Sequence, residues 1–237
     1  MTGGASGIGA ATCARLLAEG FRLAVLDLDG TAAEAAAGPG GVGCAADVSD
    51  ADQVERAFAA VVETFGGIHV LVNNAGISGS PEATICHETP IVEWDRVNAI
   101  NSRGPFLCTR AALPAMLAKG SGHVITVASV AGQVAFPGRC AYTASKGAAL
   151  MFAKSVALDY AKAGIRSNAV CPGFVQTPMT QWRLDVPALR ATVESNIPLG
   201  RVAQPEEIAD AIAVLASDRL GYLTGHALVV DGGWTAL

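Results

Sequence analysis

A tyrosine and a lysine four residues apart, Tyr142 and Lys146, close the stretch SVAGQVAFPGRCAYTASK that begins at Ser129. On a helix the two share one face. A free phenol has a pKa of about 10 and is a poor base at neutral pH; bringing it near 7 takes roughly 4 kcal/mol. A neighbouring ammonium and a helix N-terminus both favour phenolate. The pair therefore suits proton transfer to or from a substrate oxygen, and Ser129, just past an apolar strand-like run, is placed to hydrogen-bond that oxygen. Taken alone, the same residues also read as a neutral pair on a surface helix.

A second group of residues suits a phosphate-bearing ligand. Thr2 to Gly9 reads TGGASGIG and leads into a helix-periodic run that ends at Gly20. Glycine lets the backbone turn tightly against a pyrophosphate, and a helix N-terminus offers unpaired N–H groups. The run Phe21–Leu26 then reads as a strand ending in Asp27, roughly 20 residues beyond the glycines, where a carboxylate meets an adenosine ribose. Such an Asp accepts from both ribose hydroxyls and repels a 2′-phosphate, and Ser6 adds no cation to attract one. Both features favour NAD, with NADP the weaker expectation. Asp29 competes for the same role. Asp47, at the end of the strand-like Val42–Ala46, reads as an acceptor for the adenine amino group or as a turn residue. Asn73-Asn74-Ala75-Gly76 follow the strand-like Ile68–Val72, and paired amides there can bridge neighbouring strand ends.

These residues need elements to hold them. Ser49 and Asp50 open a helix that runs to about Phe65, stopped by Gly66-Gly67. Residues 77–92 read as an irregular excursion. Glu93 to Lys119 is apolar at helical spacing, interrupted by Asn101 and by Pro105, which kinks the helix or unwinds the turn before it. His123–Ala128 is a buried strand, 141–163 a helix, Ile165–Val170 a strand, 205–217 a helix and Thr224–Val230 a last strand. The segment at about 178–197 reads as a mobile lid. The alternation predicts an α/β architecture, a Rossmann-type doubly wound parallel sheet in a single domain spanning 1–237, with its binding crevice at the strand C-termini.

Composition narrows the field. The 237 residues are 51% hydrophobic and 16% charged, with a net charge of −5, which suits a folded α/β chain and excludes a basic nucleic-acid surface. No apolar run reaches the ~18 residues of a membrane span, and the start lacks a secretory pattern. The six cysteines show no zinc spacing and read as small core residues, consistent with a reducing, cytoplasmic setting and no metal. The four histidines are scattered and receive no chemistry.

With these residues in view, the chain resembles the short-chain dehydrogenase/reductase family over essentially its full length. TGGASGIG is similar to the family's glycine motif, Asn73–Gly76 to its N-N-A-G, and Ser129, Tyr142 and Lys146 to its catalytic segment with the usual spacing. Asn101 falls where the family's fourth catalytic residue belongs. Pro172, Gly173 and Thr177 match the nicotinamide-side loop, and Val230–Gly233 the C-terminal signature. The resemblance implies that Tyr142 is the base for alcohol oxidation and the acid for carbonyl reduction, and that Lys146 binds the nicotinamide ribose and, with the positive charge of the oxidised nicotinamide, lowers the Tyr142 pKa. It further implies that Ser129 orients the substrate oxygen and that Asn101 holds a water for proton relay. Cofactor contacts are expected from Gly3, Ser6, Gly7, Ile8, Gly9, Asp27, Leu28, Asp47, Val48, Asn74, Ala75, Gly76, Tyr142, Lys146, Pro172, Gly173, Val175 and Thr177. The substrate pocket is expected to involve Ser129, Gln133, Phe136, Tyr142, Met179 and Trp182, with Ser78, Val130 and Arg139 beside them. Arg183 is expected mainly in a lid salt bridge, the competing role being to meet a carboxylate or phosphate. Cys140 is expected as a wall residue.

Two departures bear on function. The family carries a further, central strand ahead of the glycine motif, whereas here only Met1 precedes Thr2. The expectation is a gap in the sheet and a working protein that extends upstream. Secondly, the arginines with which carrier-protein reductases of the family meet an acidic acyl carrier are replaced by Gly120 and Ala163, with Lys119 and Lys162 adjacent. The expected function is NAD-linked oxidation of a secondary alcohol such as a polyol, diol, cyclic alcohol or sugar. The alternatives are an NADPH-linked 3-oxoacyl-thioester reductase and a non-catalytic nucleotide-binding sensor or scaffold. A homotetramer is implied by the resemblance, with the helices at 93–118 and 141–163 at its interfaces.

Overall fold

The computed structural model describes residues 1–81 and 84–236; Glu82 and Ala83, inside the expected excursion at 77–92, and Leu237 lie outside the described residues. Six parallel strands are laid down in chain order: β1 (Ala24–Asp27), β2 (Val42–Ala45), β3 (Val70–Asn73), β4 (Gly122–Val127), β5 (Ile165–Pro172) and β6 (Ala227–Val230). They form two parts, β1 paired with β2, and β3-β4-β5-β6 in that order. Helices α1 (Gly7–Ala18), α2 (Gly30–Ala37), α3 (Ala51–Phe65), α4 (Ile91–Asn98), α5 (Gly104–Lys119), α6 (Cys140–Tyr160), α7 (Gln181–Leu184), α8 (Pro187–Ser195) and α9 (Pro205–Ala216) cover them.

Strand residues alternate between two cores, as a period of two requires. Leu26, Leu71, Val124 and Ile165 face Phe58 and Val61 of α3 and Cys108 and Met116 of α5. Val25, Val72, Ile125 and Val170 face Cys13 and Leu16 of α1 and Ile208 and Ile212 of α9. Because both faces are buried, the strands read as continuous apolar runs. Cap chemistry fixes where helices start. Asp50 accepts from the N–H groups of Asp52 and Gln53 at 2.9 and 3.0 Å, opening α3 where the sequence placed it. Asp29 accepts from Thr31 and Ala32 at 3.0 Å, so its carboxylate caps α2 rather than competing with Asp27.

The gap between β1 and β3 is closed at one end only. The Met1 amine donates to the Ala24 carbonyl at 2.8 Å, and Leu26 N–H donates to the Met1 carbonyl at 2.9 Å. Gly3 N–H donates to Leu26 and Thr2 N–H to Val72, at 2.7 and 3.0 Å. Three residues thus clasp the two parts at the C-terminal ends of the strands. Below Met1 the parts separate around a cavity of about 590 Å³ lined by Leu23, Phe58, Ile68, Val70 and His123 among others.

The long helix expected at 93–119 is divided. Between α4 and α5, Ala99–Arg103 forms a π-helical turn, with Gly104 N–H bonded to the Ala99 carbonyl. Pro105 is the physical cause that the sequence supplies: lacking an N–H, it cannot take the bond that the Asn101 carbonyl offers four residues on. The expected helix 141–163 ends at Tyr160, and a tight turn, Ala161–Ala163, completes it. Cys86 is exposed, unlike the core role expected of the cysteines; Cys13, Cys108 and Cys171 are buried. Among the described residues no helix is long and apolar enough to cross a membrane, and none of their His, Cys, Asp and Glu side chains cluster as a metal site.

Candidate active site

Parallel pairing aligns the strand ends: Asn73 lies beside Thr126, Val127 beside Val170 and Asp27 beside Ala45. Every loop that leaves these ends faces one crevice. Two cavities open there, of about 320 and 360 Å³, and they share Ser129, Tyr142, Gly173, Met179 and Thr180.

The first cavity is lined by all the residues expected to hold a dinucleotide, from Gly3, Ser6, Gly7, Ile8 and Gly9 through Asp27, Leu28, Asp47, Val48 and Asn74–Gly76 to Pro172, Gly173, Val175 and Thr177. Its floor needs glycine at two points. A Cβ on Gly9 would lie 1.9 Å from the Gly3 carbonyl oxygen, and Gly7 has φ +51 with Thr177 3.3 Å from where its Cβ would be. Ser6 precedes α1 without capping it through its side chain, so the first-turn N–H groups keep their capacity to bind an anion. Asp27 is held in place by two backbone donors, Ala5 N–H at 2.9 Å and Leu28 N–H at 2.8 Å. A carboxylate offers about four acceptor positions, so capacity remains for ribose hydroxyls. Asp47 Oδ1 accepts from the backbone N–H and the hydroxyl of Ser49, which leaves Oδ2 for the cavity. These features fit a dinucleotide.

The glycine loop is tied to the end of β3 by residues far apart in sequence. Thr2 Oγ1 accepts from the N–H groups of Asn74 and Ala75 at 3.0 and 3.1 Å. Asn74 Nδ2 donates to the carbonyls of Thr2 and Gly3. Asn73 turns the other way, donating to Thr109 of α5 at 3.0 Å. Of the Asn pair expected to bridge strand ends, Asn74 ties the end of β3 to the glycine loop and Asn73 ties it to a helix instead.

At the junction of the cavities, Tyr142 and Lys146 lie one turn apart on α6. The Lys146 Nζ donates to the Val127 carbonyl at 2.9 Å and sits 5.8 Å from the centre of the Tyr142 ring. Burial lowers the Lys146 ammonium to about 8. Burial also holds the Tyr142 phenol above its ordinary 10. Desolvation of phenolate outweighs the neighbours here; Ser129 and then Arg139 are the groups that pull the phenol back down. Ser129 follows β4 in extended conformation and starts a short turn, its Oγ accepting from Ala131 N–H at 3.1 Å.

Asn101 lies behind this site and lines neither cavity. Its Oδ1 accepts from Ile77 N–H and its Nδ2 donates to the Ile77 carbonyl, both at 2.8 Å. Nδ2 also donates to Ser145 Oγ at 3.0 Å, and Ser145 donates to the Tyr142 carbonyl at 2.8 Å. The Asn101 side-chain amide is therefore engaged with protein. The polar group that Pro105 leaves without its helical donor is the main-chain carbonyl of Asn101.

The second cavity collects Ser78, Ser129, Val130, Phe136, Arg139, Tyr142, Met179 and Trp182 as expected. Gln133 is not among its lining residues. The turn Val130–Gly132 leaves Gln133 exposed. Cys140 also lies outside the cavity wall expected of it, with its Sγ against the Thr89 hydroxyl at 3.4 Å. Trp234 lines the cavity and packs on Phe136, ring centres 5.1 Å apart, which sequence reading missed. A lone Trp just after Asp231-Gly232-Gly233 was its only signal. Arg183 makes no lid salt bridge among the described residues; its guanidinium lies 5.1 Å from the Trp182 ring centre.

Comparison with known proteins agrees with this geometry. The model of a family described as enoyl-(acyl carrier protein) reductase, a branch of the short-chain dehydrogenases, matches residues 3–235. The chain is 50% identical to 2-(R)-hydroxypropyl-CoM dehydrogenase of Xanthobacter autotrophicus, covering all of this chain and 98% of that one. It is 40% identical to a 3-oxoacyl-[acyl-carrier-protein] reductase of Thermotoga maritima, covering 98% and 95% of the two chains. The solved structure of levodione reductase superposes with a TM-score of 0.91 at 36% identity, covering 99% of this chain and 96% of that one. The glycine cradle, the Ser129–Tyr142–Lys146 junction and these likenesses lead to one assignment: the chain belongs to the short-chain dehydrogenase/reductase family, enzymes that bind NAD(P) and act on CH–OH groups.

Proposed function

We propose that the protein oxidises a secondary alcohol to a ketone with NAD, through Tyr142, Ser129 and Lys146. The observation that carries this reading is the meeting of a dinucleotide-shaped cavity and a substrate-sized one at Tyr142 and Ser129. Bound there, the dinucleotide supplies a hydride acceptor. The chain does the rest. Ser129 Oγ holds the alcohol oxygen beside the Tyr142 phenol. Tyr142, as phenolate, removes the hydroxyl proton while the carbinol carbon gives up its hydride and the C=O bond forms. Lys146, anchored on Val127 O, would hold the nicotinamide ribose and, as the ammonium, stabilise the phenolate by its charge. Asn101, through Ser145, fixes the turn of α6 that carries Tyr142, and its main-chain carbonyl is the acceptor for a proton-relay water.

Asp27 supports NAD over NADP: two backbone donors pin the carboxylate on the cavity wall, where a 2′-phosphate would meet its charge. Titration with NADH and NADPH tests this, with tighter NADH binding expected. Equal or tighter NADPH binding would overturn it. The named substrate of the 50%-identical relative contains a 2-hydroxypropyl group, itself a secondary alcohol. The 3-oxoacyl-thioester reductase reading is less supported: Gly120 and Ala163 provide no arginine for an acyl carrier.

The whole chain is read as one folding unit, with α7 and α8 as the lid over the second cavity. Exposed Ile91, Val92, Phe106, Met151 and Leu158 on α4, α5 and α6 support assembly as a homotetramer, and a light-scattering mass of one chain would refute it. The reduced cysteines are consistent with a cytoplasmic setting.

A further inference from the structure

Most arginines of this chain have an acceptor close by. Arg15, Arg96, Arg110, Arg190 and Arg201 pair with carboxylates. Arg103 and Arg166 donate to carbonyls. Arg139 and Arg183 differ: both line the substrate cavity, both are half-buried, and among the described residues neither guanidinium has a carboxylate or carbonyl partner. They come from separate elements, Arg139 from the entrance to α6 and Arg183 from lid helix α7. They are close enough for the Arg183 charge to add to burial in lowering the Arg139 pKa. Two like charges in a partly desolvated cavity are unfavourable until an anion joins them. Acids are not scarce in a chain of 21 Asp and Glu against 16 Lys and Arg, yet none is placed here.

We propose that Arg139 and Arg183 form an anion subsite, and that the substrate is a secondary alcohol whose far end carries a terminal oxyanion, a sulfonate or carboxylate. This rests on the dehydrogenase reading above and deepens it. The planar guanidinium forks match such a group in geometry as well as charge. The packed Phe136 and Trp234 rings give an apolar wall for the linking carbons, and Ser129 and Tyr142 take the hydroxyl end. Because Arg183 rides on the lid, the bound anion would also draw α7 toward the entrance of α6, so that correct tail chemistry and closure of the cavity become one event.

The test uses three alcohols alike except at the far end: 5-hydroxyhexane-1-sulfonate, 6-hydroxyheptanoate and 2-heptanol, each oxidised with NAD and with NADP. The expected result is a kcat/KM for at least one anionic alcohol about 100-fold above that for 2-heptanol, the better of the two identifying the oxyanion. In Arg183→Gln that ratio should collapse about tenfold or more through KM, with partial rescue in Arg183→Lys. Arg139→Gln should do the same but also disturb Tyr142, so its pH profile should shift where that of Arg183→Gln does not. Calorimetry with hexanesulfonate and heptanoate, which cannot be oxidised, gives an independent readout. Turnover with no preference for the anion, or a preference unchanged in Arg183→Gln, would overturn the subsite and leave the dehydrogenase reading intact. No turnover of any alcohol, with anion binding that is lost in Arg183→Gln, would overturn the dehydrogenase reading and leave the subsite standing.

Discussion

Tyr142 and Lys146 are both buried ionisable groups, and each resists its charged form. Replacing Tyr142 by Phe removes the proton carrier proposed to act beside Ser129 and should lower kcat by about 10²- to 10⁴-fold with little change in dinucleotide affinity; near-normal turnover would refute the assignment. Lys146 leads to a stability prediction. Its folded pKa of about 8 lies below the ordinary 10.5 of a lysine, so below pH 8 the fold bears the cost of a buried ammonium. Between pH 8 and 10 the unfolded chain binds the proton that the folded one does not, and this contribution rises with pH. Lys146→Met should therefore raise the melting temperature at pH 7, the stability gained being on the order of 3 kcal/mol, while abolishing turnover. A lower melting temperature would show that Lys146 is stabilising. The chemistry of Tyr142, Lys146, Gly7 and Gly9 was legible in the sequence because their short spacing is itself the geometry. Ser145 and Trp234 were not, since what they touch lies across the fold. The upward push of burial on the Tyr142 phenol was not legible either, because spacing reveals a neighbouring charge but not the loss of solvent around it.

At the scale of elements, the π turn and the glycine loop position these groups. The sequence exposed the π turn through Asn101 and Pro105, without saying which atom of Asn101 is left over. Pro105→Ala restores the missing N–H and should let Ala99–Arg103 revert to an ordinary helix, turning Asn101 away from Ile77 and Ser145. The expected outcome is a kcat lower by about tenfold or more with an unchanged or higher melting temperature; an unchanged kcat would make the π turn incidental. Thr2 has the opposite profile. Thr2→Val keeps the shape but leaves Asn74 and Ala75 without their acceptor, which should cost about 1–3 kcal/mol of stability and weaken dinucleotide binding with it. Calorimetric unfolding and NADH titration check both. Nothing near Thr2 in the chain announces this role; its partner is Asn74, across the sheet.

The whole molecule carries a strongly shifted histidine far from the crevice. His123, at the opposite end of β4 beside Asn168, is lowered to about 4 by burial and then by Arg166. As pH falls from 6.5 to 4 the unfolded chain gains a proton that the folded one refuses, so up to about 3 kcal/mol is lost across that window. His123→Asn should flatten the acid limb of a melting-temperature profile; an unchanged limb would place acid sensitivity elsewhere. The alternation of strands and helices was legible throughout, because apolar runs and caps are local. The division of the sheet followed from comparing the chain with its family, but the clasp of Met1–Gly3 did not, since it depends on which carbonyls those residues reach.

That clasp gives the ligand a second effect. The residues that cradle the pyrophosphate are continuous with those that hold β1 and β2 against β3, so occupancy and cohesion share one short length of backbone. Without ligand the β1–β2 portion can peel away as a unit at lower free energy than global unfolding. A dinucleotide bound only by the clasped form suppresses that excursion by mass action, adding about 2.7 kcal/mol at a hundredfold excess over Kd. Amides of Leu26 and the β1–β2 ladder should then exchange as one slow group when ligand is present and as a faster one without it, while those of β4 and β5 keep a common rate in both. On this view the coenzyme is also the last fastener of the sheet, and the enzyme's resistance to proteolysis should track the cell's supply of it.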